Sequence, residues 1–285
     1  MEIIIGKYSG FCNGAKNAVS KTIEELDNNV FYSVGEIVHN EEVTNDMKKR
    51  GLIIKDNLSD IPNNANLIIR AHGEGIDFYR EAKRKNLHLV DLTCGRVKLI
   101  HNKILNKKNS FVIIIGKKNH PEAIAHNSYS ENSYIVNDIE DVMGAHEAYL
   151  ASGKELVYVV AQTTFNSELF DKITDEIKRV FNCNIEIDKT ICNATSIRQN
   201  ETKEIASKVD KMIVIGGKNS SNTKELEIVA KKYCNDVYLI QTVNDLDKDM
   251  FNKDDMVGVV AGASTPDNLI QEVVNYLENI YNLKK

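Results

Sequence analysis

Apolar and polar positions along the chain follow two alternating periods. Ile3–Ile5, Leu67–Arg70, Leu87–Val90, Phe111–Ile115, Leu156–Ala161, Asn184–Ile187, Lys211–Ile215 and Met256–Ala261 are short runs rich in β-formers, most of them closed by Gly or polar turn residues. They read as strands. Between them, apolar residues recur at helical spacing, as in Ala18, Val19, Ile23 and Leu26, in Leu169, Ile173, Ile177 and Val180, and in Leu269, Ile270, Val273, Val274 and Leu277. Short strands alternating with amphipathic helices predict an α/β fold of parallel βαβ units. Pro121 and Pro266 follow strand-to-helix turns, where a first-turn proline loses no hydrogen bond.

No Ser/Pro/Gly-rich linker divides the 285 residues, so domain limits have to come from the order of elements. That order looks threefold. Cys12, Cys94 and Cys192 each lie after a strand and before a helical pattern, with 82 and 98 positions between successive cysteines. The corresponding units are 1–93, 94–191 and 192–285, although their sequences do not visibly repeat.

Composition narrows the function. With 42% hydrophobic and 27% charged residues the chain reads as globular, and a net charge of −5 with scattered Lys and Arg predicts no nucleic-acid partner. No stretch approaches the ~20 apolar residues of a membrane span, and the amino-terminal apolar run is too short for a secretion signal. The expected compartment is the cytoplasm, with no membrane partner. Thiols stay reduced there, so the five cysteines read as free, metal-binding or catalytic.

Ligands of parallel sheets bind at the carboxyl ends of the strands. The residues found there are Cys12-Asn13-Gly14, His39-Asn40, His72-Gly73, Thr93-Cys94-Gly95, His120-Pro121-Glu122, Thr163-Thr164, Cys192, Ser220-Ser221-Asn222 and Ser264-Thr265. Cys183 and Cys234 lie at helix-to-strand connections instead and read as small buried hydrophobes. Three thiolates suit a Cys₃ zinc site or a cubane cluster with one iron lacking a protein ligand, and spacing leaves both open. The hydroxyl clusters read either as helix caps or as phosphate cradles. His39, His72 and His120 suit an anion as well as a metal. Glu122 reads as a first-turn acid, with a general-acid role opened by its neighbours. His88, His101, His126 and His146 read as surface or boundary residues. The absence of a G-x-G-x-x-G turn argues against direct NAD(P)H binding.

The segments GFCNGAKNAV, GEIVHNEEVTNDMKKRGL, RAHGEG, DLTCGRVKLIH, NHPEA, AQTTFN, TICNATSIRQ, GGKNSSNTKEL and GASTPDNLIQEV resemble, in order, the family of 4-hydroxy-3-methylbut-2-enyl diphosphate reductases. The resemblance runs from Gly10 to about Val274. It implies a trefoil of three pseudo-threefold-related small α/β domains with mostly parallel sheets around a central cluster cavity. It further implies one 4Fe–4S cluster per chain, bound by Cys12, Cys94 and Cys192, with one iron left without a protein ligand. His39, His72, His120, Ser220, Ser221, Asn222 and Ser264 match the substrate-binding positions. Glu122 matches the proton donor, and Thr163 a hydroxyl that positions substrate or proton. The implied partners are a small diphosphate substrate and a ferredoxin- or flavodoxin-type electron donor. Gly95, Lys117-Lys118-Asn119, the Ser196-Ile197 pair and Arg70 depart from the residues usual in the family. A phosphometabolite sensor and a Cys₃ zinc hydrolase are the competing classes, and a proton donor beside the metal would favour the reductase over the sensor.

Overall fold

The computed structural model describes residues 1–27 and 29–283. Among them twelve strands form three four-stranded sheets, and every pairing is parallel. By internal contacts the chain divides into two compact units, one of Met1–Asp27, Glu36–Gly51 and Asn193–Lys285, the other of Asn28–Gly35 and Leu52–Cys192.

The second unit holds two sheets. One contains β2 (Tyr32–Val34), β3 (Ile53–Lys55), β4 (Asn66–Ile69) and β5 (His88–Asp91), in the order β3-β2-β4-β5. The other contains β6 (Ser110–Ile115), β7 (Ser133–Val136), β8 (Leu156–Ala161) and β9 (Asn184–Ile187), in the order β7-β6-β8-β9. The sheet around β6 shows why its strands are continuously apolar. Phe111, Ile113 and Ile115 pack with Val142 and Ala145 of α6 (Asp141–Ser152) and Phe170, Ile173 and Ile177 of α7 (Ser167–Val180). Val112 and Ile114 point to the other face, against Ile100 and Ile104 of α4 (Gly95–Leu105) and Ala123 of α5 (Pro121–Ser128). Both faces are covered, so every residue of β6 is buried. Each large apolar side chain buried this way contributes about 1.5–3 kcal/mol.

In the first unit the sheet order is β1-β12-β10-β11, from β1 (Glu2–Ile5), β10 (Lys211–Ile215), β11 (Asp236–Ile240) and β12 (Met256–Ala261). One face carries α10 (Asp267–Leu283) through Val273 and Leu277. The other carries α8 (Asn193–Ala206) and α9 (Ser221–Lys231) through Ile205, Leu226 and Ala230. The amino-terminal strand, part of the first block in sequence order, pairs with β12.

The three orders are one order. Numbering the strands of each sheet as the chain enters it, every sheet runs 2-1-3-4, with β1 standing in the fourth place beside β12. Cys12, Cys94 and Cys192 each follow a fourth strand, so they are topologically equivalent.

Candidate functional site

In the first unit, Cys12 is the N-cap of α1 (Asn13–Leu26). Its Sγ accepts the Ala15 N–H at 3.4 Å, and its own N–H donates to the Ala263 carbonyl at 3.0 Å, fastening the loops after β1 and β12. Asn40 caps α2 (Glu41–Lys49), and His39 Nδ1 lies 3.3 Å from a Glu36 carboxylate oxygen. Ser264 Oγ donates to the His39 carbonyl at 3.0 Å and lies 3.5 Å from Ser220 Oγ, which caps α9. Asn222 Oδ1 accepts the Ala263 N–H at 2.9 Å, which aims the rest of the amide away from that loop. Its Nδ2 is buried and makes no hydrogen bond to protein. Ser220, Ser221, Asn222 and Ser264 are all buried. A buried amide donor and serine hydroxyls thus gather at the amino end of α9, and an anion site and a helix cap would both use these groups.

The backbone here is built without slack. A Cβ on Gly217 would lie 2.4 Å from the His39 carbonyl oxygen and 3.2 Å from Asn40 Cα. Gly217→Ala must therefore push the His39 segment aside, and one carbon too many typically costs about 1–3 kcal/mol. We expect this variant to bind inorganic diphosphate about tenfold more weakly, which isothermal titration can measure.

In the second unit, Cys94 is the N-cap of α4, and its N–H donates to the Ala71 carbonyl at 3.0 Å. That bond joins the Cys94 loop to the loop carrying His72. The Cys192 N–H donates to the Thr163 carbonyl at 2.9 Å, joining the loops after β9 and β8. The His72 and His120 rings meet edge to face with centroids 5.4 Å apart. His120 caps α5 with a side-chain nitrogen: its Nδ1 accepts the Glu122 N–H at 3.1 Å.

Glu122 is only 1% exposed. Thr163 donates to both of its oxygens, the backbone N–H to Oε1 at 2.5 Å and the hydroxyl to Oε2 at 2.9 Å. Burial works against its ionisation, but the His126 contact and charge and the Thr163 N–H together hold the carboxyl below its ordinary range. The expected proton donor thus rests as a carboxylate.

Four helices share a further feature. α1, α4 and α8, which follow Cys12, Cys94 and Cys192, have no acid in the first turn, and neither does α9 after Ser220. The remaining α-helices each carry at least one there: Glu41 and Glu42, Asp77 in α3 (Ile76–Arg84), Glu122, Asp141, Glu168 and Asp267. No first-turn carboxylate of the chain offsets the positive ends of these four helix dipoles.

Two histidines differ from the surface reading. His101 and His126 are 4% and 0% exposed, their rings edge to face at 5.0 Å, and His101 stacks on Tyr129 at 4.0 Å. His88 is exposed and His146 half-buried. The helical stripes of α4 and α5 enclose His101 and His126 because each has an apolar neighbour one turn away (Val97 and Ile104, and Ala123). Burial, helped by the neighbouring His126, pushes His101 down to about 3. The unfolded chain then binds a proton at about pH 6 that the folded chain refuses. Stability from His101 is complete above about pH 6.5 and is lost as pH falls toward 3, by at most about 1.4 kcal/mol per pH unit. Urea unfolding at about pH 7 and pH 5.5 should reveal that slope, and His101→Phe should flatten it.

Supporting residues also emerge that pattern reading did not single out. Arg198, 7% exposed, donates to the Gly10 carbonyl at 2.7 Å and to the Ala194 carbonyl at 3.0 Å, tying α8 to the Cys12 loop. Glu201, one turn on, accepts the N–H groups of Lys7 and Tyr8. Among the departures from family usage, Arg70 pairs with Glu74 at 2.9 Å and Lys118 with Asp141. Cys183 packs on the apolar core around Phe111 and Cys234 is buried, with burial pushing the Cys234 thiol up.

Fold and strand-end residues together define a parallel α/β protein with one cysteine after the fourth strand of each sheet, buried serine and amide groups at the start of α9, and a buried carboxylate. A family profile described as LytB protein matches residues 3–278. The 4-hydroxy-3-methylbut-2-enyl diphosphate reductase of Clostridioides difficile is 39% identical, the match covering 98% of this chain and 100% of that one. The enzyme of the same name from Aquifex aeolicus is 35% identical over 98% and 97%. Among solved structures, the E-1-hydroxy-2-methyl-but-2-enyl-4-diphosphate reductase of Plasmodium falciparum superposes with a TM-score of 0.88 at 31% identity, covering 98% of this chain and 88% of that one. A structure of (E)-4-hydroxy-3-methyl-but-2-enyl diphosphate reductase, described as the terminal enzyme of the non-mevalonate pathway, gives 0.69 at 34% identity, over 98% and 100%. The chain belongs to the LytB family, that of the 4-hydroxy-3-methylbut-2-enyl diphosphate reductases.

Proposed function

We propose that this chain reduces (E)-4-hydroxy-3-methylbut-2-enyl diphosphate to isopentenyl and dimethylallyl diphosphate. The observation that carries this reading is Glu122, a buried carboxyl gripped through both oxygens by Thr163, in a chain of this family. Breaking the allylic C–O bond with two electrons and two protons releases water, and the departing oxygen needs a proton donor. Glu122 fills that role, and Thr163 keeps its carboxyl turned to one orientation.

Side chains supply no electrons at this potential, so a cofactor is required. Cys12, Cys94 and Cys192 would hold the 4Fe–4S cluster, one per chain, with one iron lacking a protein ligand. Their chemistry fits. None is in a disulfide, two cap helices, and the helix after each has no first-turn acid to repel an anionic group. When bound, the cluster supplies the electrons and a Lewis-acidic iron.

Ser220, Ser221, Asn222 and Ser264 take the diphosphate through hydroxyl and amide donors, with His39, His72 and His120 adding imidazole donors. The electron donor is of ferredoxin or flavodoxin type. Among the described residues no helix is long and apolar enough to cross a membrane, in keeping with a cytoplasmic reaction.

Anaerobic purification followed by iron and sulfide analysis, then an assay with reduced viologen dye and the hydroxy-diphosphate, tests this reading. Four irons per chain and dye oxidation are expected. An iron-loaded protein that leaves the substrate untouched would overturn the reductase in favour of a sensor, and a colourless zinc protein would overturn the cluster.

A further inference from the structure

His126 stands four residues after Glu122 on α5, on the same face of the helix. It is fully buried, its Nε2 lies 3.4 Å from Glu122 Oε1, and neither ring nitrogen makes a hydrogen bond. A histidine with no hydrogen bond, sealed against a buried carboxylate, is costly to maintain unless its charge state matters. Beyond holding the Glu122 carboxyl down, it has no role in the proposed reaction.

The surroundings narrow that role. Held below its ordinary range, with Thr163 donating to both of its oxygens, Glu122 has no proton to give at rest. His120 does not load it, because His120 Nδ1 is occupied in accepting the Glu122 N–H. His101, on α4, is edge-on to His126 and stays neutral at physiological pH, since burial pushes it down to about 3. Asp91 acts on His101, and Tyr129, stacked on His101, donates to the Glu74 carbonyl. Among the described residues that face the carboxylate, His126 offers a ring nitrogen 3.4 Å from Oε1 with no competing bond.

We propose that His126 is the proton store of Glu122, a positioning residue that shares one proton with the acid behind the reaction site. This rests on the reading of Glu122 as proton donor. In the loading step the Nε2–H bond of the His126 imidazolium breaks, its electron pair stays on nitrogen, and the proton bonds to Glu122 Oε1. A neutral imidazole and a carboxylic acid result. The carboxylic acid then protonates the departing oxygen, and the pair regains one proton from solvent before the next turnover.

His126→Asn and His126→Gln keep a polar side chain but remove the charge. Without the charge, burial dominates at Glu122. The carboxyl band of Glu122, assigned in the infrared by its absence in Glu122→Gln, should titrate about one pH unit or more higher in the variants than in the wild type. The alkaline limb of kcat should move the opposite way, toward lower pH, because Glu122 alone now carries the proton. KM should change by less than about twofold while kcat at neutral pH falls about tenfold or more. A merely structural histidine would lower the melting temperature and leave both titrations in place, and that result overturns the proposal.

A measurement on the wild type needs no variant to fold. ¹⁵N-histidine spectra should show His126 protonated on both nitrogens where the infrared shows Glu122 as a carboxylate; a neutral His126 throughout that range also overturns the proposal. Both titrations are read without substrate, so failure of the dye assay refutes the proposed reaction and leaves this inference to its own result.

Discussion

Glu122→Gln should lower kcat by about 10²–10⁴ while leaving KM within about threefold, because an amide of the same shape cannot give up a proton to a departing oxygen. The fold should tolerate the change. The Gln carbonyl can accept the Thr163 N–H in place of Oε1, and the new NH₂ faces Thr163 Oγ1, which accepts as readily as it donates. Iron content and diphosphate affinity should stay at wild-type values, since neither the cysteines nor Ser220, Asn222 and Ser264 are touched. Steady-state kinetics with a viologen donor, together with iron analysis, checks both halves. Near-full activity in this variant would remove Glu122 from the chemistry.

Cys12→Ser, Cys94→Ser and Cys192→Ser should each abolish turnover and strip the chain of most of its iron. Equal severity is the sharper part of this expectation. The three cysteines each follow the fourth strand of a 2-1-3-4 sheet. Equivalent places in the topology give no reason for one to be more dispensable than the others. A serine hydroxyl is a poor substitute for thiolate toward iron–sulfur clusters. Cys183→Ser is the control: Cys183 packs on the core around Phe111, so its replacement should cost a little stability and no iron. Iron and sulfide analysis of the four anaerobically purified variants gives the answer, and an intact cluster in any of the first three would remove that cysteine from the ligand set.

The strand-end residues were readable in advance because the signals that mark them are local. Lys211–Ile215 is a β-rich run followed by two glycines, and Ser220 after it caps a helix whose apolar positions keep a 3.6 period. A run, a turn and a cap each need only a few neighbouring residues. The three-residue strands β2 and β3 escaped this reading, since three residues cannot display a period of two. β7, an edge strand with three of its four residues half-buried, was equally faint.

Sequence alone determined the α/β class, the positions of Cys12, Cys94 and Cys192 after strands, and the polar clusters at Ser220 and Ser264. It also contained the missing first-turn acids of α1, α4, α8 and α9, a pattern visible only once the helix starts are known. Tertiary structure alone decided that β1 takes the fourth place in a sheet otherwise built from the carboxyl-terminal third of the chain. That pairing is a hydrogen-bonded ladder between residues some 250 positions apart, on which neither segment's own periodicity bears. The same holds for Glu122, which burial alone would push up and which His126 and the Thr163 N–H, from another loop, hold down instead. A side chain's identity is written locally, but its solvation and its hydrogen-bond donors are contributed by segments that only the fold brings to it.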